Sequence, residues 1–392
     1  MSQITQKNSS QHIVLLFLSS FLAILALGMQ TPTLSLFAVE LGSSIVEVGL
    51  IVSVGFAVRL VLRVPIGLLS DRFGRKDPFC FGIGCITISL FTLHASSTPL
   101  HIMISQFACA LAFTTIYSIG ITMAQEAYPS SPRTGVAAFT LASGIAGVGA
   151  PLLCSALLVT LPIRTTYFIG GIIGAAGFAC SLLVPRKGGV RESLEPRRSL
   201  QSVISNKGVQ LVCAIQVLSI LSETSITTYL PLRASIEMGL SASTIALLMS
   251  AYSIGMVFIR IPASKIFKRL SATKLLTIAL LVFTISVAAI PSATEPFLLM
   301  VLVAMAGVAH GMIWPVASIH LSSSVGSKDL GLANAIYGAT GDAVGVSAPI
   351  PLSSIVGFMG YSALYYTVFL FDLIGVVPLV MILMRSSLRQ KR

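Results

Sequence analysis

Charged side chains are scarce in this sequence. Lys, Arg, Asp and Glu make up 10% of the 392 residues, whereas hydrophobic residues make up 55%. A soluble domain carries about 25% charged residues, so the composition excludes an ordinary soluble protein. With a mean hydropathy of +0.93, the chain is expected to be a polytopic membrane protein whose apolar runs of about 20 residues cross the bilayer as helices.

Patterns that carry catalysis or bind metal are also missing. The sequence has no metal-ligand spacing, no nucleophile elbow and no phosphate-binding glycine loop. Its six cysteines all fall within apolar runs and include no CxxC pair, so we interpret them as packing residues. We therefore expect neither an enzyme, nor a metal site, nor a cofactor.

Twelve apolar stretches have the length and composition of membrane-spanning helices. They are residues 12–37, 46–69, 78–95, 100–124, 135–160, 165–184, 209–233, 242–266, 273–292, 296–320, 331–357 and 361–384. The fold class predicted is an all-α membrane protein. The longest connection, residues 185–208, is basic and polar, and it is expected to separate a six-helix bundle in residues 1–184 from a second one in residues 209–392.

The basic residues lie predominantly on one side of the predicted helices. If both termini are cytoplasmic, 20 of the 25 Lys and Arg residues face the cytoplasm. Only Arg164 and Arg233 face the other side, and Arg59, Arg63 and Arg260 lie within helices. This asymmetry predicts cytoplasmic termini and a multi-pass protein of the plasma membrane, with the first apolar run as a retained signal anchor. It also explains the net charge of +12 without nucleic-acid binding.

The chain repeats itself at about half its length. Residues 40–65 align with residues 237–262 without gaps. The coinciding positions include Glu40 with Glu237, Arg63 with Arg260 and Pro65 with Pro262. The alignment predicts two halves of like topology. The alternative is a shared bias toward small apolar residues.

A short charged loop follows the second apolar run. Residues 67–76 read GLLSDRFGRK, in which the first glycine is expected to allow close helix approach and the second a tight turn. The motif positions are Gly67, Asp71, Arg72, Gly74, Arg75 and Lys76. This loop resembles the signature loop of the major facilitator superfamily of secondary transporters. The alternative is a charged anchor that follows the positive-inside rule.

The resemblance implies two pseudo-symmetric six-helix bundles that work by alternating access. It implies that Asp71 faces the cytoplasmic start of the eleventh helix, and that this latch opens when the transporter opens to the cytoplasm. Glu126 and Arg133 resemble a second family loop that joins the latch. The second copy of the signature loop is degraded, because Lys268 occupies the position that corresponds to Asp71.

Two ionisable residues are expected near the bilayer centre, where a charge is costly and commonly functional. Arg59 lies 11 residues from Ser70, about 16 Å along a helix. Asp342 lies 11 residues from Gly331, which gives the same depth. Because the resemblance makes the second and eleventh helices neighbours, an Arg59–Asp342 pair is the leading candidate for a lock or coupling site. The alternative is a static pair of neutralised charges.

Further polar residues interrupt the apolar helices. The resemblance implies that Glu223, in the seventh helix, faces a central cavity, where low dielectric would let it carry a proton; it could instead bind a cationic group or hydrogen-bond within the bundle. His310 and Trp314 lie one turn apart and offer a titratable ring beside an aromatic platform, with a packing histidine as the alternative. Gln30 belongs to a small polar set in the first helix. Asp372 receives no role.

The substrate class follows by exclusion. The hallmarks of sugar porters after helix 6 and of peptide transporters in helix 1 are absent, and residues 144–151 resemble a drug–proton antiporter motif imperfectly. We therefore predict a monomeric secondary transporter for proton-coupled efflux of a small amphipathic solute or drug. The alternatives are an importer or uniporter of a small metabolite, and a transporter-like membrane sensor that transports nothing. The expected partners are the solute, protons and the lipid bilayer.

Overall fold

Helices account for nearly all of the chain. The computed structural model describes residues 2–128, 130–186, 200–260, 270–326 and 329–389, with the side chains of 2–11, 71, 132 and 379–389 excepted. Within these ranges there is no β-strand. The predicted all-helical fold class is therefore confirmed.

Seven helices lie in the described part of the first half. They are α1 Ser2–Met29, α2 Leu34–Glu40, α3 Ile45–Phe73, α4 Lys76–Ala95, α5 Pro99–Ala127, α6 Pro132–Leu157 and α7 Ile163–Leu182. Local sequence signals set several ends. Ser44 and Glu47 form a reciprocal capping box at the start of α3, and α5 begins with proline, whose missing N–H costs nothing there. Gly74, with φ of 91°, ends α3.

The second half is more interrupted. It contains α8 Leu200–Ile204, α9 Lys207–Thr224, a π-helix Ser225–Tyr229, α10 Leu230–Ile236, α11 Ala242–Phe258, α12 Ala272–Ala289, a 3₁₀ turn Ile290–Ser292, α13 Pro296–Ser324, α14 Leu330–Ser347 and α15 Pro349–Arg389. Within α15, Gly360 has φ of 83° and kinks the helix between two predicted spans. The predicted central connection contains α8, and its residues 187–199 lie outside the described ranges.

Two spans that were each predicted as one helix are divided into two helices in the structure. The predicted 12–37 helix ends at Met29 and resumes at Leu34, because Pro32 disfavours helical backbone at the residue before it. The predicted 331–357 helix ends at Ser347 and resumes at Pro349, where proline again supplies no N–H to continue the ladder. The end of the predicted 242–266 helix falls partly outside the described residues.

Ten helices in the described ranges are long and apolar enough to cross a membrane. One of them, residues 330–378, contains most of two predicted spans, and Ala242–Phe258 is a shorter apolar helix.

The chain forms two compact units. The first comprises residues 1–193 with 241–247, and the second comprises residues 194–240 with 248–392. In the first unit α4 packs on α5 and α7, and α1 packs on α6 and α7. In the second unit α12 packs on α13, and α9 packs on α14. Each unit therefore has its own buried core.

Candidate functional site

The signature loop lies at one end of the first unit. The Nε of Arg75 is 2.7 Å from Glu126 Oε1, so two of the predicted latch residues form an ion pair. Lys76 donates to the carbonyl of Leu182 over 2.7 Å, and the guanidinium of Arg72 lies 5.4 Å from the ring of Phe73. The structure therefore ties this loop to the ends of α5 and α7.

Arg133, Asp71 and Gly67 complete the predicted latch. Arg133 is exposed, and the side chain of Asp71 lies outside the described part of the structure. Among the described residues, a Cβ built on Gly67 would meet no atom within 4 Å. The close helix approach predicted at Gly67 is therefore not seen in that part of the chain. A side chain there would fit, so packing within the described ranges does not require glycine.

Arg59 lies against aromatic rings of the first unit. Its guanidinium carbon is 3.8 Å from the centroid of Phe56 and 4.5 Å from that of Phe113. Cation–π contacts contribute about 0.5–1 kcal/mol at exposed sites and about 2 kcal/mol when the cation is desolvated, and Arg59 is half-buried. The rings come from α3 and α5, and Tyr117 extends the aromatic surface at 4.7 Å from Phe113.

A chain of amides lies beside this arginine. Gln106 donates to Gln30 Oε1 over 2.9 Å, and Gln30 donates to Cys109 Sγ over 2.6 Å. Arg59 interacts electrostatically with Cys109, which places the two polar groups near one another. Gln106, Cys109 and Phe113 share one face of α5 because they follow helical spacing. Gln30 and Arg59 were predicted from the sequence as site residues, whereas Gln106, Cys109 and Phe113 were not, although their helical spacing was a usable signal.

The second unit brings Glu223 and His310 together. Glu223 Oε2 lies 3.8 Å from His310 Nε2, with side chains that are 31% and 13% exposed. The other ring nitrogen, Nδ1, is 2.5 Å from the hydroxyl of Tyr252. The imidazole also stacks on Phe283 at 5.4 Å with an interplanar angle of 10°. We call Glu223, His310, Tyr252 and Phe283 the histidine cluster.

The histidine cluster contains three groups that can exchange a proton. The Tyr252 hydroxyl is hydrogen-bonded to the imidazole, whereas the Glu223 carboxylate lies at 3.8 Å, within ion-pair distance but beyond a hydrogen bond. A proton could therefore pass between Glu223 and His310 only after a small side-chain rotation or through a bridging water. Arg260 interacts electrostatically with His310, and Glu223 does so with Tyr252 and Tyr337. Among the described residues, Glu223 and Arg260 therefore contribute opposite charges to the field around the imidazole.

Local backbone features position the histidine cluster. The π-helix begins two residues after Glu223, and such irregular turns are frequent at functional sites. A Cβ on Gly307 would overlap the backbone carbonyl of Tyr252, and one on Gly311 would overlap that of Met256. The two glycines thus let α13 approach α11 closely enough for the Tyr252 hydroxyl to reach His310.

Trp314 and Asp342 are the remaining candidates. Trp314 is 49% exposed, and the rings in contact with His310 are Phe283 and Tyr252, not the predicted tryptophan. Asp342 is buried in α14. The expected Arg59–Asp342 pair joins residues of the two separately described units, so it stays a prediction. Among the described residues, no three His, Cys, Asp or Glu side chains are grouped to hold a metal ion.

Comparisons with known proteins agree with this architecture. The sequence profile of the Major Facilitator Superfamily matches residues 16–213 and 212–392. An MFS-type transporter of Methanocaldococcus jannaschii is 25% identical over 174 residues, which cover 42% of this chain and 43% of the relative. A probable nitrate transporter, NarT, of Staphylococcus epidermidis is 27% identical over 143 residues, covering 36% of this chain and 35% of the relative. The matched stretches thus span less than half of either curated relative.

Solved structures show the same fold. The crystal structure of the nucleoside transporter NupG, in a mutant form, has a TM-score of 0.80 at 14% identity, and the match covers 94% of this chain and 99% of NupG. At that identity the likeness establishes the fold alone. The profile match, by contrast, covers both halves of the sequence. The chain therefore belongs to the Major Facilitator Superfamily of membrane transporters.

Proposed function

We propose that this protein is a proton-coupled transporter of a small amphipathic solute, with the histidine cluster as its coupling site. The observation that carries the proposal is the contact of one imidazole with a carboxylate and a phenol, at 3.8 and 2.5 Å, inside an apolar helical unit. A uniporter of a neutral solute moves no proton, so its mechanism would not require such a group of titratable side chains.

Protonation would change the charge of the histidine cluster. With Glu223 ionised and His310 neutral the cluster carries one negative charge, and one bound proton makes it neutral. A net charge in an apolar helical unit is costly, so the proton would bias which conformation the unit prefers. Because Glu223 is the more exposed of the two, it is the group that we propose exchanges protons with water.

The polar groups around Arg59 suggest the class of solute. A guanidinium beside two aromatic rings and two glutamine amides suits a solute with an anionic or amide-like polar group and an apolar or planar body. Two proteins similar to this chain are named as transporters of nitrate and of nucleosides. We propose a small solute of this kind, and we propose efflux as the direction, on the sequence evidence.

The proposal is tested in proteoliposomes with an imposed pH gradient, read in both directions. The solutes are nitrate, nucleosides, aromatic carboxylates and cationic amphipathic drugs. Wild-type protein should move at least one of them against its gradient when protons flow the other way. Glu223→Gln keeps the shape but cannot titrate, so it should abolish gradient-driven accumulation while solute exchange continues.

A second Glu→Gln variant serves as the control, because it shows whether losing any one carboxylate, rather than that of Glu223, abolishes proton coupling. Glu295 lies at the exposed start of α13, and Glu295→Gln should leave accumulation at the wild-type level. Gradient-driven accumulation that survives in Glu223→Gln would overturn the coupling role. Accumulation with protons flowing in the same direction as the solute would replace efflux with import.

A further inference from the structure

A second acidic residue lies directly behind the histidine cluster. Asp372 of α15 is fully buried, with 0% of its surface exposed. Its Oδ2 accepts hydrogen bonds from the hydroxyls of Ser222 over 2.6 Å and Thr284 over 3.2 Å. Its Oδ1 is also buried and has no hydrogen-bond partner in the described part of the chain.

Among the described residues, no cation forms an ion pair with Asp372. Its helix packs against α9, the π-helix, α12, the 3₁₀ turn and α14. The charged and titratable side chains on these elements are Lys207, Cys213, Glu223, Tyr229, Lys274, Tyr337 and Asp342. Within the described residues, the polar contacts of the Asp372 carboxyl are with Ser222 and Thr284 alone. An ionised carboxylate without a cation costs several kcal/mol in such a site.

The hydrogen-bond pattern matches a neutral carboxylic acid. The carbonyl oxygen of an acid has two lone pairs and accepts two hydrogen bonds, whereas its hydroxyl oxygen carries the proton. Both donors converge on Oδ2, so Oδ1 is the oxygen that would carry the proton; an O–H there without an acceptor costs less than a buried carboxylate without a cation. An ionised carboxylate would be expected to have donors at both oxygens.

The position of the carboxyl connects it to the histidine cluster through two chain neighbours. Ser222 precedes Glu223 on α9, and Thr284 follows Phe283 on α12. Asp372 therefore contacts the residues next in sequence to Glu223 and to the ring that stacks on His310, about 100° around each helix from them. A change in its hydrogen bonds would move both supports of the cluster.

We infer that Asp372 is a second proton-binding site, which in its protonated form clamps α9 to α12 behind the histidine cluster. Proton binding by Asp372 does not depend on the proposed function, whereas the effect of Asp372 on transport rests on it. Loss of this proton at alkaline pH would strengthen the two hydroxyl hydrogen bonds to Asp372 but leave a buried charge without a cation. That cost disfavours the packed arrangement of α9 and α12 that supports Glu223 and Phe283. Asp372 acts through these neighbours and is a positioning residue.

Infrared difference spectroscopy of the purified protein tests the proton site. Subtracting the Asp372→Asn spectrum from that of wild type at neutral pH should reveal the C=O stretch of a carboxylic acid, which shifts in D2O. Subtracting the Asp372→Asn spectrum from the Glu223→Gln spectrum should leave the same band, because Glu223 is not its source. Ser222→Ala should move it to higher frequency, because the carbonyl oxygen loses its shorter hydrogen bond, and this variant serves if Asp372→Asn does not fold.

The pH profile of transport tests the clamp. Wild-type transport should fall at alkaline pH as Asp372 loses its proton, whereas Asp372→Asn cannot lose one and should keep its activity to higher pH. A difference spectrum without the acid band at neutral pH would overturn the inference. So would stabilisation of wild type, but not of Asp372→Asn, by sodium ions, since the site would then bind a cation. If the band is present but Glu223→Gln still accumulates solute, the proposed coupling fails and the proton site stands.

Discussion

At the residue scale, two half-buried polar side chains, Arg59 and His310, have specific protein neighbours. Arg59 has aromatic faces at 3.8 and 4.5 Å, and His310 has a partner at each ring nitrogen. An arginine can stack on rings while presenting its N–H groups elsewhere, which a lysine cannot do. We therefore expect that lysine cannot replace Arg59 without loss, although the two side chains carry the same charge.

Arg59→Lys tests the aromatic contacts. The substitution keeps the positive charge but loses the planar stacking on Phe56 and Phe113, which we expect to weaken solute binding by about 1.4 kcal/mol, or about tenfold in Kd. The measurement is the Kd of the transported solute in detergent. Arg186→Lys is the control, because that arginine is largely exposed and its replacement should leave Kd unchanged. An unaltered Kd for Arg59→Lys would remove Arg59 from the solute site.

Tyr252→Phe tests the hydrogen bond to His310. Removing the hydroxyl leaves Nδ1 without its 2.5 Å partner, which should lower the free energy of unfolding by about 1–3 kcal/mol and weaken coupling to the pH gradient. Tyr361 is the matched control, since its buried hydroxyl has no hydrogen-bond partner among the described residues. Tyr361→Phe should leave stability equal or slightly raised. Equal Tm values and equal coupling for both variants would contradict the role given to Tyr252.

At the element scale, the second unit depends on close contact between α11 and α13. The carbonyls of Tyr252 and Met256 lie where side chains of Gly307 and Gly311 would be, so the backbones meet directly. Small residues allow this approach in membrane proteins, where packing replaces the hydrophobic effect between helices. The geometry of the histidine cluster is thus a consequence of two residues that lack side chains.

Gly307→Ala should separate these helices. The added Cβ overlaps backbone, which cannot rotate away, so we expect a loss of about 1–3 kcal/mol in the free energy of unfolding and a longer Tyr252–His310 contact. The control is Gly357→Ala in α15, where a Cβ would meet no described atom within 4 Å; this change should be neutral or slightly stabilising. The measurement is the Tm of both purified variants, and equal values would mean that α11 and α13 accommodate the extra methyl group.

Hydropathy predicted the helices well but not their interruptions. Each predicted span has a helix in the structure because about 20 apolar residues can bury their backbone in lipid only as a helix. The break between Met29 and Leu34 and the π-helix after Thr224 depend on how neighbouring helices satisfy the freed backbone groups. Those contacts are long-range, so a pattern read along one segment does not reveal them.

At the scale of the whole molecule, sequence reasoning found candidate residues more readily than their partners. Glu223 and His310 stood out because ionisable side chains are rare in apolar helices. Their contact depends on the rotation of α9 and α13 about their axes, and that rotation is set by packing. Asp372 received no role for the same reason, since its significance comes from Ser222 and Thr284 on two other helices.

The signature loop carries the last prediction, because the family resemblance makes Asp71 part of a latch between conformations. Asp71→Asn removes a charge without changing shape, so we expect folding and membrane insertion at wild-type levels but transport that is abolished or strongly slowed. Asp77 is the matched control, as it lies six residues further along and forms an exposed ion pair with Arg186 at 3.1 Å. Exposed pairs contribute about 0–1 kcal/mol, so Asp77→Asn should keep its transport rate. If well-folded Asp71→Asn transports as fast as Asp77→Asn, the loop is only a charged anchor, and the conformational equilibrium must be controlled from within the helices, where the histidine cluster would be the first place to look.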